Sequence, residues 1–354
     1  MVVPWTMYLC YGDVRILEEQ YSSMKGWVDY MAERAGESYF WNNDFTFGDW
    51  LAFNTNRSDY PGATTDKDLV CQAYFIRSTE LLLRTAKILG KRGDVAKYGN
   101  MLEKIRKVFR DEFVTPNGRL CSNTQTAYSL ALAFDLVPSG LKEKMAKRLA
   151  DDVNRFGHIT TGFLGTPLIC HVLSDYGYLE EAFMLVNRKK YPSWLYPITK
   201  GATTIWERWD GIKADGTFQD VGMNSFNHYA YGAIGEWLYR VVAGIEIDEE
   251  NPGYKHIIIQ PHPGGGMTYA KARMDSMYGT IESGWRLEGK RITVDVEIPA
   301  NTDATVRLPG AKLAGVTEGG SKLGEVKGIV KSSQEVDTAV IVVGSGRYSF
   351  QYEQ

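Results

Sequence analysis

The chain has 354 residues, 44% hydrophobic and 23% charged, which is ordinary globular composition and enough for one large core plus a smaller domain. Its formal net charge of -3 and pI near 6.0 leave no basic footprint, so nucleic acid is excluded as a partner. No apolar run is long enough to span a membrane, which removes the membrane as a partner too.

The first residues, Met1 to Trp5, lack the basic start and long apolar stretch of a signal peptide. The compartment stays open: cytoplasm if the chain is complete, periplasm or exterior if it belongs to a longer protein. Residues 15–34 carry Ile16, Leu17, Met24, Trp27, Val28 and Met31 at steps that predict a helix. Thr65 and Asp68 look like a capping box opening the next one, whose apolar face runs from Cys71 to Leu89 and stops at Gly90. A further helix starts near Asp94 and ends before the turn Pro116-Asn117-Gly118. Shorter helices are expected over 126–136, 141–156, 167–176 and 179–188. A last one runs through Phe226, His228, Ala230, Ala233, Trp237 and Val241. Many short helices with modest loops suit a closed array of helical hairpins better than a four-helix bundle.

Near Ile245 the period changes from about four to two. Ile292, Val294, Val296 and Ile298 alternate with polar residues, Ile281, Trp285 and Leu287 mark another strand, and Tyr348, Phe350 and Tyr352 a third. The reading is mainly α with an antiparallel β-sandwich at the end, divided into residues 1–246 and 247–354. The four cysteines, Cys10, Cys71, Cys121 and Cys170, form no CxxC pair, so a zinc knuckle is excluded. Three of them sit in apolar helical settings as small buried residues. No histidine spacing suggests a metal, and no phosphate-binding or serine-nucleophile motif occurs.

Two windows carry the chemistry. Thr203-Thr204-Ile205-Trp206-Glu207-Arg208-Trp209-Asp210-Gly211 wedges one carboxylate between two indoles. About fifteen residues on comes Asn224-Ser225-Phe226-Asn227-His228-Tyr229-Ala230-Tyr231-Gly232. Aromatic faces hold the C–H side of a sugar ring, amides and imidazole take its hydroxyls, and the carboxylate moves a proton. Glu207 is the candidate catalytic base; the plain alternative is an ion pair with Arg208 or Arg240. His228 stands evenly between a hydroxyl contact and a satisfied core histidine. Phe47-Gly48-Asp49-Trp50-Leu51 is a second constellation, with Asp44 just upstream; alone, it reads as easily as a structural turn.

These residues resemble the bacterial α-L-rhamnosidases of glycoside hydrolase family 78. The likeness is carried by 201–210, by Met223 through Tyr239, by Val3-Pro4-Trp5, by Gly48-Asp49-Trp50 and by Ile298-Pro299-Ala300-Asn301-Thr302. It implies an (α/α)6 toroid followed by a β-sandwich. It implies an inverting hydrolase of terminal α-L-rhamnosides that needs no cofactor. Glu207 then matches the general base, and Asp49, Trp50, His228, Trp206 and Trp209 line the sugar pocket, with Asp44 beside them.

One departure matters. Members of the family carry an early acidic segment ending in Gly-Trp-Thr-Gly-Asp that supplies the general acid, and no such run occurs here. The first helices of the toroid therefore read as missing, and Asp44 is the one upstream acid in a suitable setting. A toroid short of a hairpin would expose apolar faces, which keeps homo-oligomerisation open. The rival readings are a catalytically incomplete fragment, a sugar-binding remnant without the acid, and a glucoamylase-like glycosidase.

Overall fold

The computed structural model describes residues 1–52 and 64–353. Ten helices are described: α1 (Val2–Tyr11), α2 (Arg15–Ala35), α3 (Lys67–Ile88), α4 (Arg92–Phe113), α5 (Gln125–Ala133), α6 (Ser139–Phe156), α7 (Thr166–Asp175), α8 (Leu179–Asn187), α9 (Leu195–Thr199) and α10 (Ile234–Trp237). Nine strands follow, from β1 (Ile245–Ile247) to β9 (Thr338–Glu353). The contacts group into two compact units, one of Met1–Val2 with Glu19–Ile234, the other of Val3–Glu18 with Gly235–Gln354.

In the first unit, α3 packs on α4, α5 on α6 and α7 on α8, while α3, α5 and α7 also contact one another in turn. This is a run of antiparallel hairpins with one helix of each pair on the inside. The sequences follow that division. In α5, residues Gln125 to Leu132 are all buried, as an inner helix requires. In α4 the buried set is Tyr98, Met101, Leu102, Ile105, Phe109 and Phe113, a single stripe with an outer polar face.

The cap of α3 differs from the sequence expectation. Asp66, not Thr65, is the N-cap; its carboxylate accepts the Leu69 N–H at 2.9 Å. Thr65 instead bonds the Thr124 hydroxyl across to the next hairpin at 2.8 Å.

Asp29 on α2 ties that helix to α4, accepting from Lys97 Nζ at 2.7 Å and Tyr98 OH at 2.8 Å. Burial opposes its ionisation, but Lys25, Lys97 and Tyr98 together bring its carboxyl from 3.8 down to about 2. Its stabilising share is therefore full above the unfolded value of 3.8 and lost as pH falls through about 2. Acid titration of the folded fraction should show Asp29→Asn flattening that limb between those values.

In the second unit, all nine strands join one hydrogen-bonded sheet network. β5 (Arg291–Pro309) and β9 run antiparallel along most of their length, with a register shift between Ile298 and Asp303. Before the shift β5 pairs β4 (Gly279–Glu288); after it β5 pairs β2 (His256–Ile259). The same two long strands thus serve both halves of the β unit. The β2–β5 ladder is parallel, an exception to the antiparallel expectation. The second unit also takes α1: the Gly253 N–H donates to Leu9 O at 2.7 Å, and a Cβ at Gly12 would stand 3.0 Å from Pro252 O.

Two sequence expectations change. Of the cysteines, only Cys71 and Cys170 are buried; Cys10 is half-buried and Cys121 exposed. The helix drawn through Phe226 and His228 begins only at Ala230, as a 3₁₀ turn leading into α10 and then a π turn over Leu238–Val242. Residues 224–228 are not helical because they spend hydrogen bonds on the segment 204–211, as follows.

Candidate functional site

The two aromatic windows lie against each other, joined by hydrogen bonds between irregular segments. The Glu207 N–H donates to Ser225 O and the His228 N–H to Ile205 O, each at 2.9 Å. Thr204 Oγ1 bonds Phe226 O, and Asn224 Nδ2 donates to Gly211 O at 3.0 Å. Between the two windows, Ile212 and Phe218 form an isolated antiparallel bridge of their own.

This ladder fixes Glu207. Its Oε2 accepts the Ser225 N–H at 2.9 Å, so backbone bonds hold both the main chain and the carboxylate. The side chain is half-buried. Arg208 is buried and pairs with Asp210 at 3.2 Å, and Asp210 also accepts Gln219 Nε2 at 2.6 Å. Arg240 pairs with Glu236 and Glu246, each at 2.7 Å. Both arginines named in the ion-pair alternative are thus engaged by other carboxylates.

His228 stands before the 3₁₀ turn. Its Nδ1 accepts the Ala230 N–H at 3.3 Å, so in the neutral ring the proton sits on Nε2, available as a donor. The ring stacks on Phe163 (5.1 Å, 23°) and on Tyr229 (5.6 Å, 3°). Together with Leu164, Pro167 and Ile205 these rings line an open groove of about 820 Å³. The groove is mostly apolar, its polar side chains being His228 and Tyr229, the latter 88% exposed at its edge.

Both indoles beside Glu207 are buried, and neither lines the groove. Trp206 is buried and meets Phe226 edge-on at 4.9 Å. Trp209 is a core plate: 2% exposed, stacked on Tyr231 at 3.7 Å and edge-on to Trp194 at 5.3 Å. Its Nε1 is buried without a hydrogen-bond partner. Tyr231 meets Phe163 edge-on at 5.2 Å, so one aromatic series runs from Trp209 through Tyr231 and Phe163 to His228. Trp209 supports the groove from behind and does not face it.

Asp49 is also not at the surface. It is 0% exposed and accepts four hydrogen bonds: the Thr126 hydroxyl, the N–H groups of Gly162 and Leu164 at 2.8 Å each, and that of Gly165 at 3.2 Å. Burial pushes its carboxyl up, and these donors pull against that. Trp50 is half-buried; its carbonyl accepts the Phe163 N–H at 2.9 Å and its ring packs edge-on to Phe47 at 5.6 Å. Gly48 and Leu51, at φ 64° and 60°, make the turn that carries the pair inward.

Asp44 is engaged by Arg34 at 2.7 Å, by the Trp41 indole N–H at 2.7 Å and by Tyr30. The Arg34 guanidinium and then that indole hold its carboxyl below the usual carboxylate value. A general acid must carry a proton near neutrality, so the environment of Asp44 works against that role.

Phe163 was not singled out in the sequence. The available signal is Gly162-Phe163-Leu164-Gly165, an aromatic held between two glycines. Gly211 is equally constrained: a Cβ there would lie 2.8 Å from Asn224 Oδ1, 3.0 Å from Trp206 Cε3 and 3.2 Å from Phe226 Cε1. Gly211→Ala should cost about 1–3 kcal/mol by displacing these groups. Its check is a lowered thermal midpoint together with changed tryptophan emission; an unchanged midpoint would show that the ladder yields freely.

Helical hairpins with one helix of each pair inside, followed by a β unit, and a clamped carboxylate beside an imidazole-lined aromatic groove, have the makeup of a six-hairpin glycosidase. Residues 1–242 match the bacterial alpha-L-rhamnosidase 6 hairpin glycosidase domain, and residues 244–322 the corresponding C-terminal domain. The chain belongs to the bacterial α-L-rhamnosidase family. It is 40% identical to an α-L-rhamnosidase of Streptomyces avermitilis over 310 residues, 87% of this chain and 29% of that protein. With an α-L-rhamnosidase of Formosa agariphila it shares 37% over 354 residues, 99% of this chain and 38% of the relative. The crystal structure of the Streptomyces avermitilis enzyme complexed with L-rhamnose superposes with a TM-score of 0.87 at 37% identity, covering 99% of this chain and 32% of that one. The chain thus spans about a third of the length of the relatives it matches. Among the described residues no helix is long and apolar enough to cross a membrane, and no group of three His, Cys, Asp or Glu is placed to hold a metal ion.

Proposed function

We propose that this chain carries the base-bearing side of an inverting α-L-rhamnosidase site, acting on terminal α-L-rhamnose of glycosides or polysaccharides. The observation that supports it most is Glu207, whose carboxylate is fixed by the Ser225 N–H on the ladder that also carries His228. A carboxylate immobilised in this way loses little freedom when it orients a water molecule. Glu207 takes a proton from that water as its oxygen attacks the anomeric carbon on the face opposite the leaving group. His228 Nε2 donates to a sugar hydroxyl while the Phe163 and Tyr229 side of the groove meets the ring's C–H face. Trp50 borders the sugar, and Asp49, Trp206 and Trp209 hold the walls. We take the catalytic part as residues 1–246 and the β part as 247–354.

Inverting hydrolysis uses a second carboxyl group about 6.5–9.5 Å from the first. We assign that acid to neither Asp44, which Arg34 keeps anionic, nor Asp49, which is enclosed. Those two environments favour a second reading, in which the chain grips rhamnose without cleaving ordinary glycosides.

A nitrophenyl α-L-rhamnoside separates the two, because its leaving group departs without a proton. Turnover of it, with none of the matching α-glucoside, is the expected result. Rhamnose binding without turnover would favour the binding reading. Turnover of the glucoside alone would sink both.

A further inference from the structure

We propose that Asp49 is a positioning residue: it sets the Phe163–His228 pair through the backbone of residues 162–165 and never touches the ligand. The inference rests on the reading of the groove as the sugar site. Its basis is the convergence of three amide N–H groups on one enclosed carboxylate, Leu164 and Gly165 on Oδ1 and Gly162 on Oδ2, with the Thr126 hydroxyl completing Oδ2. Filling this volume needs no charge. Three amides aimed at one point do need an acceptor, since each would otherwise be buried unpaired.

The loop is pressed onto that acceptor. A Cβ on Gly165 would stand 2.4 Å from Thr126 Oγ1, and one on Gly162 would stand 2.1 Å from Trp50 O. Between the two glycines sits Phe163, its N–H taken by Trp50 O at 2.9 Å. With its backbone fixed on both sides, its ring has one place to go, flat against His228 and edge-on to Tyr231. The imidazole in turn has Nδ1 committed to Ala230 and its ring stacked on Phe163 and Tyr229, so a shift of Phe163 redirects Nε2. The path from Asp49 to His228 therefore runs through the backbone of one loop and the ring of Phe163.

Asp49→Asn preserves shape and one acceptor oxygen but turns an N–H toward an amide donor. In the folded variant, KM for the nitrophenyl rhamnoside, or the Kd for L-rhamnose, is expected to rise about tenfold, the scale of one misaligned hydrogen bond. In a His228→Ala background the same change should add almost nothing, because its effect passes through that ring. A readout that needs no ligand is the NMR spectrum of the histidine rings, of which the chain has five. Asp49→Asn should shift the His228 resonances and leave those of His256 and His262 in place. If that variant does not fold, Thr126→Val removes a single donor and should shift the same resonances less. Unmoved His228 signals in a folded variant, or additive losses in the double mutant, would overturn the proposal. If the unmodified chain neither binds nor cleaves rhamnosides, the reading of the groove fails instead, and the His228 resonances alone decide the role of Asp49.

Discussion

Glu207→Gln should lower kcat/KM for a nitrophenyl α-L-rhamnoside by about 10²–10⁴-fold, the usual contribution of a positioned acid or base. The substitution is nearly isosteric, and an amide oxygen still accepts the Ser225 N–H that Oε2 accepts now. The pairing of residues 205–207 with 225–228 is made by backbone groups, so it does not depend on the charge. What disappears is the capacity to take a proton from water. The thermal midpoint should stay within the scatter of the parent chain, which separates lost chemistry from lost fold. Undiminished turnover by a folded Glu207→Gln chain would remove the assigned role.

The second large effect is on stability. Gly162→Ala would put a methyl group 2.1 Å from Trp50 O and 2.6 Å from Asp49 O, both backbone atoms. No side-chain rotation relieves such contacts, so the loop must leave Asp49 or the 48–51 turn must move. A cost of about 1–3 kcal/mol is the ordinary range for overpacking, and this site belongs at its upper end because burial leaves Asp49 no water to fall back on. Gly99 is the control: it lies inside α4, where an added Cβ meets nothing within 4 Å. Gly99→Ala should raise stability by about 0.5–1 kcal/mol. Denaturant midpoints that move the same way for both variants would show that the spacing at Gly162 is not the constraint described.

The parts legible from sequence are those in which a residue's setting is decided nearby. Met101, Leu102, Ile105 and Phe109 are spaced for one helix face and are buried there. Ile292, Val294, Val296 and Ile298 alternate and are buried as expected. The placement of Glu207 near His228 was legible only as proximity along the chain; the structure supplies the backbone bonds, Glu207 to Ser225 and His228 to Ile205, that set the two segments side by side. The surroundings of Asp49 were not legible because its donors lie 77 to 116 residues further on, and nothing in Gly-Asp-Trp announces them. Trp209 has an indole suited equally to a sugar and to a core, and Tyr231, 22 positions later, decides for the core. The helix drawn through His228 failed for a related reason: its aromatic spacing fits a helix, but its hydrogen bonds are claimed by Ile205 and Glu207.

The membership of α1 in the second unit bears on biosynthesis. Residues 3–18 leave the ribosome before the hairpins, yet their packing partners, among them Gly253, are made more than two hundred residues later. At about 5–20 residues per second that interval is on the order of ten seconds or more. Through it α1, whose Trp5 is buried in the finished protein, lacks the partner that Gly253 gives Leu9. The nascent chain should therefore engage holding chaperones through this segment. Release would await the linker and first strands of the β unit, making synthesis of that later part the event that ends the exposure of α1.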